Sequence, residues 1–156
     1  MNFKYLFLIA LIGISIFALG CTGIKEDNIT GDSSVETVKA DTVNIDKLEI
    51  YHFHGTHQCY SCITVGDYAE ETVNTYFKDE LDKGTIVFGH INGELPENQE
   101  LVKKYGVTSA SLWLGVYSKN GSFSAEQNTN VWYKIDNKET YMTYLKGVIE
   151  QKLAGN

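Results

Sequence analysis

The spacing of apolar residues changes along the chain, and each change predicts the next strand or helix. Leu48–His54 is a short run dense in β-forming side chains, which is typical of a buried strand. From Cys62 to Leu81 the apolar residues recur every three or four positions, which predicts an amphipathic helix that Gly84 closes. Thr85–Ile91 has the composition of a second strand.

The next stretch predicts a helix, a strand and a hairpin turn. Pro96 fits the first position of a helix, where its missing N–H costs nothing, and Gly106 ends that helix. Leu112–Tyr117 is a third strand. The pair Asn120-Gly121 that follows it is a strong hairpin signal.

The last part of the chain predicts a fourth strand and a final helix. We place the strand at Val131–Ile135, after a polar insert. Asp136 with Glu139 three residues later forms a capping-box pattern that starts the helix. The order strand, helix, strand, helix, strand, strand, helix predicts an α/β sheet that is parallel at first and antiparallel at its end.

The N-terminus has the pattern of a secretory signal. Met1–Lys4 carries a positive charge, and the apolar run Tyr5–Leu19 ends at the small residue Gly20. The run is shorter than the about 20 residues that span a bilayer. Gly20 followed at once by Cys21 resembles the lipobox of prokaryotic lipoproteins. That resemblance implies lipidation of Cys21 as the mature N-terminus, while ordinary signal cleavage or no cleavage are the alternatives.

These features divide the chain of 156 residues into three parts. Residues 1–20 are the predicted signal peptide. Residues 21–45 are the lipid-attachment cysteine and a polar, acidic segment without apolar periodicity, which is typical of a flexible tether. Residues 46–156 are long enough for one ordinary domain with a single core.

Charge and cysteine content narrow the possible functions. The formal net charge is −7 and the chain contains no arginine, which argues against nucleic-acid binding. Of the three cysteines, Cys21 lies at the cleavage junction, so the folded part holds only Cys59 and Cys62. A single pair in an exported chain is compatible with redox chemistry or with a structural disulfide.

Cys59 and Cys62 stand at the predicted start of the first long helix. Two cysteines three residues apart in a first turn can bring their sulfurs within bonding distance. The first thiol also faces unpaired backbone N–H groups and the positive end of the helix dipole, which favour the thiolate. Cys59 is therefore the expected nucleophile and Cys62 the resolving thiol, with Tyr60 and Ser61 between them.

The folded segment resembles thioredoxin-like proteins from about Asp46 to Leu153. The resemblance is carried by YHFHGTHQCYSC, then TIVFGHIN, KKYGV, LWLGVYSKNG and the final helix. It implies a thioredoxin-like α/β fold with a central mixed four-stranded sheet flanked by helices. It also implies that Cys59 and Cys62 form a redox-active disulfide. No dissociable cofactor is expected, because the cysteines are themselves the redox group.

Three positions depart from the family pattern. Gln58 stands where the family usually has an aromatic residue, and Phe53 stands where it has a buried acid that assists proton transfer. The family's cis-proline is replaced by Ser111, with Ala110 before it. Pro96 is the only proline in the chain, so this loop cannot contain a cis X-Pro bond. We still expect the loop to contact partners through backbone groups.

The absent proline and the nearby imidazoles support a second hypothesis. His52, His54, His57 and His90 are candidate nitrogen donors to the two thiolates. Cys59, Cys62, His57 and His54 form a candidate tetrahedral set for zinc or copper. His57 is otherwise a candidate thiolate-stabilising neighbour, or simply a residue with no special role. A third hypothesis is an interaction module whose disulfide is incidental.

The leading interpretation is an exported thiol–disulfide oxidoreductase. Its lipid anchor would hold it on the cell membrane, facing outside the cytoplasm. Its partners would be extracytoplasmic proteins with their own cysteine pairs, and the resemblance implies that Tyr60 and Ser61 tune its redox potential.

Overall fold

Residues 44–155, which the computed structural model describes, form four strands, four α-helices and two short 3-10 helices. The elements are β1 Ile45–His54, α1 Tyr60–Tyr76, α2 Lys78–Asp82, β2 Ile86–Asn92, a 3-10 turn Pro96–Asn98, α3 Gln99–Tyr105, β3 Ser111–Ser118, β4 Phe123–Gln127, a second 3-10 turn Thr129–Lys134 and α4 Lys138–Leu153. None of the helices within this part of the chain is long and apolar enough to cross a membrane. The predicted signal segment, Cys21 and most of the tether lie outside the described residues.

The strands form one mixed sheet in the order β2-β1-β3-β4. β1 and β2 are parallel, with Leu48 opposite Ile86 and His52 opposite His90. β3 runs antiparallel to both β1 and β4. This four-stranded mixed sheet with flanking helices confirms the predicted thioredoxin-like α/β fold.

The central strand β1 has a different environment on each face, because successive side chains point to opposite sides of a strand. Leu48 and Ile50 are fully buried in the main core with side chains of α1 and α4. On the other face, Tyr51 and Phe53 pack their rings against Tyr105 of α3. The alternation therefore decides which residues of β1 lie beneath the helix that carries the cysteine pair.

The fourth strand is not where the apolar residues predict it. The sequence predicts the strand at Val131–Ile135, but this segment lies largely in a 3-10 turn, and β4 is Phe123–Gln127. The Asn120-Gly121 turn explains the difference, because it closes the hairpin at once and puts Phe123 opposite Tyr117. Val131 is fully buried in the core without belonging to the sheet.

The helix ends agree with the sequence in part. Gly106 ends α3 in the left-handed conformation, with φ 70°, as predicted. The helix expected to run to Leu81 is interrupted at Phe77, where φ is −131°, and that side chain is buried. The predicted capping box at Asp136 is wrong: Asn137 caps α4, and its Oδ1 accepts the Thr140 N–H over 2.8 Å.

Candidate active site

Cys59 and Cys62 form a disulfide at the start of α1, with their Cα atoms 5.1 Å apart. Cys59 is the N-cap residue and has an extended backbone, while Cys62 lies in the first helical turn. Cys59 is exposed, and Cys62 is partly buried. The predicted pair is therefore within disulfide distance, with the first sulfur on the side of the protein that a partner can reach.

The Cys59 sulfur replaces the oxygen that usually caps a helix. Its Sγ accepts a hydrogen bond from the Cys62 backbone N–H over 3.1 Å. No acidic side chain lies in the first turn of α1, so the positive end of the helix dipole is not offset by a local carboxylate. After reduction, this environment favours the Cys59 thiolate over the thiol.

The side chains next to the disulfide are open to solvent. His57 and Gln58 lie exposed in the loop before Cys59. Tyr60 is 81% exposed and Ile63 is 43% exposed. These two side chains present apolar surface directly beside the sulfurs.

The loop that precedes the pair is anchored to the end of β2. The Thr56 backbone N–H donates to Oε2 of Glu94 over 3.0 Å, and Asn92 Nδ2 donates to Oγ1 of Thr56 over 3.1 Å. The Gly93 N–H also donates to the His54 carbonyl over 2.8 Å. These bonds hold the chain between β1 and α1 in one position.

The loop that matches the family's proline position has its own internal bonds. No peptide bond in residues 44–155 is cis, so Ala110–Ser111 is trans. Ser111 is buried; its hydroxyl donates to the Ser109 carbonyl over 2.9 Å and accepts from Trp113 Nε1 over 2.8 Å. Ala110 lines a groove of about 250 Å³ together with His54 and Glu94.

Two histidines that the sequence offered only as candidate metal ligands, His52 and His90, contact each other beneath α1. Nδ1 of His52 lies 3.1 Å from Nδ1 of His90, and Nε2 of His90 lies 3.3 Å from Oε2 of Glu70. His52 is 1% exposed. Burial, followed by the neighbouring imidazoles of His90 and His54, lowers the pKa of His52 to about 4.

The period of two in β1 is the signal that identifies His52. It places His52 on the same face as Leu48 and Ile50, which is the face covered by α1. Phe53, which matches the family's buried acid by position, contacts Tyr51 and Tyr105 on the opposite face. The titratable side chain of β1 that is fully buried beneath the helix is therefore His52.

The alternative metal ligands do not come together. Within residues 44–155, no group of three or more His, Cys, Asp or Glu side chains is placed to hold a metal ion. His54 directs its Nδ1 to the Gly55 carbonyl, 2.9 Å away, while His57 lies exposed in the loop. The set Cys59, Cys62, His57 and His54 is thus not assembled as a site.

Comparisons with known proteins add a distant structural likeness. No protein-family model matches the chain, and no curated protein sequence matches it. Among solved structures, the Trx4 domain of ERdj5 is similar at 16% identity and a TM-score of 0.47; the match covers 69% of this chain and 80% of that one. The fold assignment rests on the strand order and pairing of the chain itself.

Proposed function

We propose that the protein is a membrane-tethered, extracytoplasmic thiol–disulfide oxidoreductase. The observation that carries the proposal is the placement of the disulfide at the start of α1. Cys59 is exposed and its sulfur accepts the Cys62 N–H, whereas Cys62 is partly buried. A purely structural disulfide would gain little here, because closing so short a loop removes little entropy from the unfolded chain.

The reaction is an exchange of two electrons between cysteine pairs. In the reduced protein the Cys59 thiolate attacks a partner's disulfide, which forms a mixed disulfide and releases one partner thiolate. Cys62 loses its proton and attacks the Cys59 sulfur, which releases the second partner thiolate. The protein then carries the Cys59–Cys62 disulfide and the partner carries a dithiol; the reverse sequence oxidises the partner.

The partners that fit this site are extracytoplasmic proteins with their own cysteine pairs. Tyr60 and Ile63 offer exposed apolar contacts beside the reacting sulfur. The groove lined by Ala110 has room for a side chain of an extended peptide.

The test of the activity uses the full chain with Cys21→Ser, so that only the pair reacts. Reduced protein should catalyse the reduction of insulin disulfides by dithiothreitol, and Cys59→Ser should abolish this catalysis. Cys62→Ser should instead trap insulin in a mixed disulfide through Cys59, visible on a non-reducing gel. The proposal fails if neither turnover nor a trapped species appears.

The anchoring part of the proposal has its own experiment. The N-terminal apolar run followed by Gly20-Cys21 supports lipidation of Cys21. Cells that express the chain with a labelled fatty acid should yield labelled protein in the membrane fraction, and Cys21→Ser should remove the label. Cys59→Ser serves as the matched cysteine control and should keep the label. Equal labelling with and without Cys21 would contradict the anchor.

A further inference from the structure

Glu94 gives the groove lined by Ala110 a negative charge. The groove lies beside the end of β1, and Phe53 and Gly55 line it together with Glu94. Among the described residues that line it, none is a lysine. A groove with a carboxylate and no lysine of its own is complementary to a positively charged side chain.

The absence of a side chain at Gly55 leaves space for the Glu94 carboxylate. A Cβ added to Gly55 would lie 2.8 Å from Oε1 of Glu94, so a larger residue there would push the carboxylate away. Oε2 accepts the Thr56 N–H over 3.0 Å, which fixes the orientation of the carboxylate. Oε1 therefore lies over the bare backbone of Gly55, where a donor that enters the groove can reach it.

The Glu94 carboxylate is ionised and has no internal cation beside it. Hydrogen bonds from the side chain and the backbone of Thr56 hold the pKa of Glu94 below its usual range. None of the ion pairs formed within residues 44–155 includes Glu94. His54, the other titratable residue of the lining, bonds through Nδ1 to the Gly55 carbonyl instead. A cation of a partner can thus approach Glu94 without displacing one that is already there.

The apolar part of the groove suits a long aliphatic stem. Phe53, Val102 and Val107 line it, and its volume of about 250 Å³ holds one side chain. Lysine and arginine carry their charge at the end of such a stem, which packs on apolar surface while the head group stays at a polar edge. The groove therefore fits the whole of a basic side chain, both its stem and its charge.

The surface around the disulfide and the groove has the same sign of charge as Glu94. Residues 54–77, 84–102 and 105–118 include the loop before Cys59, α1, β2 and β3, and they carry six carboxylates and no lysine. A region of one sign attracts partners of the opposite sign and raises the rate of encounter. The wider surface and the groove thus favour the same partner chemistry.

The groove is close enough to Cys59 for one extended peptide to reach both. Gly55 lines the groove, and Cys59 follows it by four residues. An extended chain advances at most about 3.6 Å per residue, so the Cα atoms of Gly55 and Cys59 are at most about 14 Å apart. A partner peptide covers the same distance with about four of its own residues.

We propose that Glu94 selects partners with a lysine or arginine within about four residues of the reacting cysteine, a specificity that rests on the proposed function. The cationic head group pairs with Oε1 of Glu94, and the stem packs on Val102 and Val107. This contact holds the partner's disulfide at Cys59 during the attack. Glu94 takes no part in the electron exchange, so it determines specificity and is not a catalytic residue.

The test uses short peptides that differ in one side chain. Each peptide contains one cysteine, has blocked ends and is supplied as its disulfide-linked dimer. Lysine, arginine, norleucine or glutamate stands three residues after the cysteine in one set and three residues before it in a second set. Reduced full chain with Cys21→Ser is mixed with each dimer, and formation of the Cys59–Cys62 disulfide is followed by maleimide gel shift. Each rate is divided by the rate at which dithiothreitol reduces the same dimer, which corrects for the reactivity of the peptide itself.

The parent chain should react about fivefold faster with the lysine and arginine peptides than with norleucine in at least one set, and slowest with glutamate. The preference should become smaller in 1 M salt, where the Debye length is about 3 Å. Norleucine has the stem of lysine without its charge. Equal rates for lysine and norleucine in both sets would therefore overturn the inference, because the groove would then recognise the stem alone.

Three variants assign the preference to Glu94. Glu94→Gln keeps an oxygen that accepts the Thr56 N–H and should reduce the advantage of lysine over norleucine to less than twofold. Glu97→Gln, in the neighbouring 3-10 turn, is the matched control and should keep that advantage. Glu94→Lys should invert the order, so that the glutamate peptide reacts fastest. A distorted loop would slow all peptides alike and could not produce this inversion.

The outcomes separate this inference from the proposed function. A lysine advantage that is unchanged in Glu94→Gln, or an order that is not inverted in Glu94→Lys, overturns the role of Glu94. In either case the parent chain still exchanges disulfides, so the proposed function stands. A parent chain that none of the peptide dimers oxidises contradicts the proposed function itself.

Discussion

Tyr105 of α3 donates its hydroxyl hydrogen to Oε2 of Glu49, a buried carboxylate of β1, over 2.7 Å. Tyr117 donates to the same oxygen over 2.9 Å, and Lys47 donates to Oε1 over 2.7 Å. Burial raises the pKa of Glu49, but the hydrogen bonds from Lys47, Tyr105 and Tyr117 together lower it below its usual range. The buried carboxylate is thus held ionised, on the sheet face opposite α1.

Glu49→Gln tests the contribution of this carboxylate to stability. At pH 7 we expect the free energy of unfolding to fall by about 1–3 kcal/mol, because the amide satisfies the three donors less well. A lowered folded-state pKa gives stability that is present above the unfolded pKa and lost as pH falls through the folded pKa. The difference in the free energy of unfolding between parent and variant, measured by urea denaturation, should therefore become smaller as the pH is lowered from 7 to 3. Glu100→Gln on exposed α3 surface is the control, and an equal loss at both pH values would contradict the prediction.

Gly66 and Gly147 form a matched pair of helical glycines. A Cβ at Gly66 would meet the rings of His52 and His90 within 3 Å, whereas a Cβ at Gly147 meets nothing within 4 Å. Gly66→Ala should therefore destabilise the protein by about 1–3 kcal/mol through overpacking. Gly147→Ala should stabilise it by about 0.5–1 kcal/mol, because alanine has the higher helix propensity. Thermal unfolding of both variants checks the prediction. The prediction fails if the melting temperatures of the two variants shift in the same direction.

Local sequence signals predicted the parts of the fold that depend on near neighbours. The run Leu48–His54, the helix after Cys59 and the end of α3 at Gly106 follow from side-chain period and backbone preference. β4 was misplaced because Phe123–Gln127 is short and largely polar. Pairing with β3 across the Asn-Gly turn makes it a strand, and that pairing outweighs its weak propensity.

In the candidate site, too, the sequence predicts only the features that depend on near neighbours in the chain. Its two cysteines lie three residues apart at the start of a helix and are predicted from their spacing. The contact between His52 and His90 comes from the register of two parallel strands, 38 residues apart in the chain. The approach of α1 depends on Gly66, which by itself carries no signal of what lies below it. A contact of this kind becomes visible only when the sheet register and the helix position are both known.

The low pKa of His52 predicts how stability changes in mild acid. The folded-state pKa is about 4, compared with about 6.5 for an unperturbed histidine. The unfolded chain therefore binds more protons between these values, so stability is complete above about pH 6.5 and falls as pH drops towards 4. The loss from this residue is about 3 kcal/mol over that interval. His52→Leu should flatten the pH dependence of the unfolding free energy there, while His57→Gln in the exposed loop should not. If the unfolding free energy of His52→Leu depends on pH as steeply as that of the parent, another group is responsible for the loss of stability.

Glu94 connects the loop before Cys59 to the end of β2, through the bond from the Thr56 N–H. Glu94→Ala should free that amide, and its hydrogen exchange should become about tenfold faster, because the N–H loses its acceptor. The backbone of Cys62 belongs to α1 and should exchange as before. Glu97→Ala, an exposed glutamate in the neighbouring 3-10 turn, is the control and should leave the Thr56 amide protected. If Thr56 exchanges equally slowly in both variants, its amide is protected by something other than Glu94, and the loop is held in place by Asn92 and Gly93.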